Sequence, residues 1–188
     1  EEFKNLLKTI EKKELEEKKR RKAEEKERVR LANINNTGMW SVHYYVDDFG
    51  EPTEQGYIRN TKTIEGTFSN TATQDSPLNV DFLITDSSSI AIKLYEYAGN
   101  NPVKSYSHDN YTVLVQDKDM NRMTLTAENT SERLFFSAYA SKHIHNALMK
   151  GGTLKFRITD DDTPTTQYQF NIQKADWYKN AYRKLEKS

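Results

Sequence analysis

Leu154-Lys155-Phe156-Arg157-Ile158 and Gln167-Tyr168-Gln169-Phe170-Asn171-Ile172 decide how the chain is read. In both, apolar and polar residues alternate one for one. A strand turns successive side chains to opposite faces, so this pattern marks a half-buried β-strand with one dry face and one wet face. Working outward, the same period recurs through the middle of the chain. Trp40, Val42, Tyr44 and Val46 share one face, with Ser41, His43 and Tyr45 on the other. Leu78, Val80, Phe82 and Ile84 form another set, as do Ile90, Ile92 and Leu94 with Lys93 turned outward. Tyr111, Val113 and Val115 follow, then Met123 and Leu125, then Leu134, Phe136 and Ala138. A shorter pair covers residues 57–59 and 64–68. The total is about nine or ten short strands. One wet and one dry face is the habit of antiparallel sheets. Many short strands separated by turn signals predict a mainly β domain, an antiparallel sandwich or a barrel. The order of the strands does not follow from the pattern.

The flanks change period. Residues 2–31 carry no Gly or Pro and read as one long helix. Phe3, Leu6, Leu7 and Ile10 make a short apolar face at helical spacing. Beyond Leu15 the stretch is almost entirely Glu, Lys and Arg, with i,i+4 pairs Glu14–Lys18, Glu16–Arg20, Glu17–Arg21 and Glu24–Arg28 in the favoured orientation. A coiled coil needs apolar a and d positions over several heptads, and they are missing here. A solvated spacer is therefore preferred to an oligomerisation arm, with self-association through residues 1–33 as the alternative. Asn33-Ile34-Asn35-Asn36-Thr37-Gly38 ends the helix, because Asn and Gly favour the left-handed conformation that closes helices. The expected division is a charged helical stem at 1–33 and a β domain at 34–188. Ala140, Ile144, Ala147 and Leu148 share one face of a short inserted helix that stops at Gly151-Gly152. Residues 174–187 form a closing helix, with Trp177, Tyr178, Ala181, Tyr182 and Leu185 as its stripe and Trp177 docking it on the sheet. Trp40 belongs to the core.

Composition bounds the function. Lys+Arg and Asp+Glu both number 28, so the formal charge is zero. That disfavours a dedicated nucleic-acid binder, which carries a basic footprint. Residues 1–30 hold a surplus of three basic residues and the remainder a surplus of three acidic ones. With no cysteine, disulfides, thiolate zinc sites and cysteine nucleophiles are excluded. No apolar run approaches the roughly 18–20 residues of a membrane span. The chain begins Glu1-Glu2 rather than with Met, which predicts a trimmed product; any targeting signal or lipid-bearing cysteine upstream would have been cut away.

Each motif with a chemical reading also has a plainer one. Asp47-Asp48-Phe49-Gly50-Glu51-Pro52 is a strong turn signal. Asp47, Asp48 and Glu51 are candidate cation or ligand contacts, although such clusters more often cap the turn. Glu96 in Leu94-Tyr95-Glu96-Tyr97 is in phase with a buried face, where a carboxylate needs a partner. The plainer reading has the strand at its rim by then, before a turn over 98–102. Asp117-Lys118-Asp119-Met120-Asn121 has the spacing of a calcium loop, yet Arg122 and the position of Glu128 do not fit one, and a hairpin turn is preferred. Asp160-Asp161-Asp162-Thr163-Pro164 is expected to be a solvated tip. His143 and His145 are too close together for a helical metal pair and are expected at the surface, with His43 and His108 remote. The 11 tyrosines invite a sugar-binding reading, although strand propensity alone enriches tyrosine. No cofactor motif and no acid, base and nucleophile set is legible.

Trp40 opening the first strand, then Asp47-Asp48-Phe49-Gly50-Glu51, Gly66-Thr67-Phe68-Ser69-Asn70 and Leu94-Tyr95-Glu96-Tyr97, resembles uncharacterised bacterial exported or lipid-anchored proteins. In those a charged helical segment precedes a β-sandwich, and the resemblance covers residues 38–185. It implies a bacterial cell envelope setting, periplasmic or surface, with a lipid anchor on a removed N-terminus. The expected function is a non-enzymatic binding module for a protein or glycan, carried on the helical spacer. The alternatives are an assembly protein, or a hydrolase using acids such as Glu96 and Asp48, since fold does not fix function.

Overall fold

The computed structural model describes residues 2–96, 109–130 and 132–187. Tyr97, the turn expected at 98–102 and His108 lie outside the described residues. The chain divides into two units, Glu1–Asn36 and Thr37–Ser188.

The first unit is a single helix, α1 (Glu2–Asn33), 32 residues and so about 48 Å long. Its ion pairs are as dense as the sequence promises, with some partners exchanged. Glu17 does meet Arg21 at 3.0 Å. Arg20 bridges back to Glu17 at 2.9 Å, Arg28 to Glu25 at 2.7 Å and Arg30 to Glu27 at 2.6 Å. Residues three apart are neighbours on a helix as surely as residues four apart, and a long guanidinium reaches either. Phe3, Ile10, Leu15, Val29 and Leu31 are all exposed. The side chains of Leu6 and Leu7 lie outside the described set.

The second unit runs through β1 (Trp40–Val46), β2 (Pro52–Asn60), β3 (Ile64–Ser69), β4 (Ser76–Asp86), β5 (Ser89–Tyr95), β6 (Asn110–Gln116), β7 (Arg122–Thr130) and β8 (Arg133–Phe136). After these come α2 (Ala138–Lys150), β9 (Leu154–Asp160), β10 (Gln167–Ile172) and α3 (Tyr178–Glu186). All pairings are antiparallel, in the order β1-β2-β4-β3-β10-β9-β6-β7-β8-β5, and β5 pairs again with β4. Of the two architectures open from the sequence, the sheet takes the barrel form. Eight strands, β3 to β10, close on themselves, and the β1–β2 hairpin continues outward from β4. Closure depends on the β3–β10 seam, where Gly66 faces Phe170. A Cβ on Gly66 would stand 2.2 Å from the Gln169 carbonyl and 2.7 Å from Phe170 Cβ, so only glycine admits this approach.

An eight-stranded barrel is narrow enough for its own side chains to fill it. Phe156 and Phe170 stack at 4.8 Å, and Phe82 meets both edge-on at 5.7 and 6.0 Å. Val80, Ile84, Ile92, Val113, Leu134 and Ile158 complete the interior. The inward positions of the alternation are the buried ones along the barrel strands, but on β1 the expected dry face fails at its far end, where Tyr44 and Val46 are exposed because the hairpin extends beyond the barrel. Ala138 departs from that reading: it is exposed and opens α2.

Helix α2 starts at a cap in which Ser137 Oγ accepts from the Ala140 N–H, and it ends at Gly151 with φ +73°. Ser141, fully buried, accepts from Ile90 N–H at 3.1 Å and donates to the Phe136 carbonyl at 3.3 Å. It thereby ties α2 to β5 and β8 where their ladder is short. Lys150 reaches Asp117 in the β6–β7 turn at 2.6 Å, so α2 lies across this end of the barrel. Helix α3 packs on α2, β1 and β2. Tyr178, rather than the half-buried Trp177, is its anchor: it is buried and meets Trp40 edge-on at 5.4 Å. Trp40 is core as expected, at 1% exposure. Its indole N–H has no partner among the described residues.

Candidate functional site

Asp47, Asp48 and Glu51 sit together at the tip of the β1–β2 hairpin, exposed. Asp47 Oδ1 accepts from the N–H groups of Phe49 and Glu51, both at 2.9 Å. This carboxylate holds its own turn, the ordinary use of Asp at such a position. Glu96 lies elsewhere, half-buried just past β5, where its Oε1 accepts from the Tyr168 hydroxyl at 3.1 Å. Burial, with the Glu96 charge beside it, raises the Tyr168 phenol far above the usual tyrosine range. The four candidates therefore do not form one group. Among the described residues no cluster of three or more His, Cys, Asp or Glu is set to hold a metal ion.

The remaining acidic turns are structural. Asp160 Oδ1 accepts from Asp162 and Thr163 N–H. Asp117 Oδ1 accepts from Asp119 and Asn121 N–H, which confirms the hairpin turn. Unexpectedly, Asp117 is buried, and its hydrogen bond to Lys150 draws its carboxyl down to about 2. His145 overturns its surface assignment: it is 8% exposed, because α3 packs over it. Its Nδ1 lies 2.9 Å from the Tyr178 hydroxyl and its ring 4.4 Å from that of Tyr182. Burial lowers its pKa and favours the neutral ring.

Among the described residues, a feature with the character of a site is on the outer surface. A groove of about 420 Å³ runs over β1, β2, β4, β5 and β8, lined by Tyr45, Tyr57, Arg59, Asp81, Phe82, Leu83, Lys93, Tyr95 and Arg133. Strand register assembles it. In the β4–β5 ladder Asp81 faces Lys93 and Asn79 faces Tyr95. The β5–β8 ladder pairs Ile92 with Leu134, so one step further brings Lys93 beside Arg133. From the hairpin come Tyr57, stacked on His43 at 5.3 Å and meeting Tyr45 at a tilt at 5.1 Å, and Arg59. The outcome is an aromatic bank next to three cations and one carboxylate.

Two polar devices fix the arrangement. β2 meets β4 at a single ladder pair, Ile58 with Ile84. Beyond it the buried Asn60 replaces the ladder: its Oδ1 accepts from Phe82 N–H at 2.7 Å and its Nδ2 donates to the Val80 carbonyl and Asp81 Oδ1, each at 3.1 Å. On the bank, Ser41 Oγ lies 2.9 Å from His43 Nε2 and donates to the Arg59 carbonyl. The cations are scarcely neutralised. Arg59 stands 3.9 Å from Asp81, and neither Lys93 nor Arg133 makes an ion pair among the described residues. Such a surface can stack a flat or ring-shaped group, attract an anion and accept a hydroxyl hydrogen bond at Asp81.

Alternation already turned Tyr45 and Lys93 outward. What it lacked was the strand order that sets β2, β4, β5 and β8 side by side. An outward run of Tyr, Arg, Asp and Lys was the available signal, and it was scattered over distant segments. No family model, no curated protein and no solved structure matches this chain.

Proposed function

We propose that the barrel is a non-enzymatic binding module of a bacterial envelope or surface protein, and that the outer groove is its ligand face. The observation that supports this reading is the pairing of the Tyr45–Tyr57–His43 bank with Arg59, Lys93 and Arg133, cations left largely uncompensated by the fold. Cations that lack a close carboxylate partner and stand beside aromatic rings are available to pair with an incoming ligand. The groove lining holds one carboxylate, and the Ser41 hydroxyl beside His43 on the bank donates its hydrogen to the Arg59 carbonyl rather than to the imidazole. The ligand is a protein or a glycan, and α1 is a solvated spacer.

The test is a ligand screen on glycan and protein arrays, with Tyr57→Ala and Lys93→Glu beside the parent chain. Binding that both variants lose supports the groove. Binding that survives both, or that is lost on changing Asp48 instead, overturns it. Light scattering on the full chain checks the spacer: a monomer supports it, and a concentration-dependent oligomer favours assembly through α1.

A further inference from the structure

We infer that the groove takes an acidic sugar chain, with a carboxylate-bearing residue over the cations and a neighbouring ring on the tyrosines. This deepens the binding-module reading and rests on it. Three observations converge. First, the charge runs against its surroundings. Residues 37–188 carry a surplus of three acidic residues, yet the groove gathers Arg59, Lys93 and Arg133 around the single Asp81. A cation excess inside an acidic unit favours a small, localised anion over a broad polyanionic surface.

Second, the aromatic rings are arranged as a platform. Tyr57 is braced by two ring neighbours, His43 stacked on it and Tyr45 tilted against it, and Tyr45 is 43% exposed. A braced ring presents its face at little entropic cost, and the C–H face of a sugar can lie on it. Third, the polar groups are of mixed kind. Asp81 accepts hydrogen bonds while arginine and lysine donate them, which suits a ligand with hydroxyls as well as a carboxylate. A DNA backbone offers no donor to Asp81, and its phosphates are repelled by it. A protein partner calls for a dry apolar anchor pocket and about 800 Å² per side. Leu83 is the one aliphatic side chain in the lining, and the groove volume falls within the roughly 300–1,000 Å³ of compact-ligand sites.

The experiment is calorimetric titration of the full chain with oligogalacturonate, with its methyl ester, with poly-glutamate of similar length and with oligo-dT. The ester keeps the sugar rings and removes the charge. The acidic oligosaccharide is expected to bind about tenfold more tightly than the ester and than poly-glutamate, and to weaken with added salt. Tyr57→Ala and Lys93→Glu each weaken it roughly tenfold, with cooperative unfolding retained because neither side chain belongs to the core. Equal binding of poly-glutamate or oligo-dT, indifferent to Tyr57→Ala, would reveal general polyanion attraction and overturn the inference. Tighter binding of the ester, abolished by Tyr57→Ala, overturns the acidic-sugar claim and leaves the groove as a binding face. If no probe binds, the acidic-sugar claim fails, and the array screen alone then decides the wider reading.

Discussion

The two faces of the β1–β2 hairpin make the most instructive comparison in the molecule. Trp40, Val42 and Ile58 lie on one face, against α3 and the core. Gly56 on this face is so tightly covered that a Cβ would meet Leu185 at 2.9 Å. The other face carries His43, Tyr45 and Arg59 exposed and Tyr57 half-buried between them. One alternation of side chains serves both. The covered face is defined by what it excludes, namely water, and its residues are interchangeable within the limits of shape. The open face is defined by which groups it holds near one another, and there identity matters more than hydrophobicity.

Substitutions should separate the two faces by size and kind of effect. Trp40→Ala on the covered face removes the partner of Phe82 and Tyr178 and should cost about 3–5 kcal/mol, read by denaturant unfolding. Asn60→Ala, at the buried end of β2 opposite Trp40, strands the Phe82 N–H and the Val80 carbonyl. It should cost roughly 1–3 kcal/mol and also weaken ligand binding, because it releases Asp81 and β2 together. Acid should act on the covered side through His145. Its pKa is lowered in the fold by burial, with Glu186 and Asp86 pulling the other way. Its contribution is therefore fully present above the ordinary 6.5 and lost as pH falls through the lower folded value. The melting temperature should drop between neutral pH and pH ~5 in the parent, and drop less in His145→Gln. Tyr57→Ala on the open face should cost about 1 kcal/mol, the loss of its ring contacts, and show itself chiefly in binding. If Tyr57→Ala unfolded the protein, the distinction between the faces would collapse.

The covered face was legible in the sequence and the open one was not, for the same reason. Burial imposes a period, and Leu78, Val80, Phe82 and Ile84 announce theirs without reference to any other segment. A groove is a relation between segments. Arg59, Lys93 and Arg133 become neighbours only through the order β2-β4-β5-β8, which no local pattern encodes. Asp47 and Glu96 stood out because they are local signals, and both are occupied within the fold, by a turn and by Tyr168. Spacing alone puts His145 at the surface, and spacing does not reveal that α3 returns over α2. The inserted helix and its Gly151 stop were readable because caps, like strands, are local chemistry.

The seam between β3 and β10 has a further consequence, one that concerns time. Its two strands lie about a hundred residues apart, and loop closure over that distance is slow. On a ribosome β3 is made early and β10 near the end of the barrel. In between, β3 waits with one edge unpaired, a template for any passing strand. Gly66 then matters a second time, since a bulkier residue would leave that edge waiting longer for a partner that fits. The risk of misassembly is concentrated in this interval, and it ends when Phe170 is laid against Gly66.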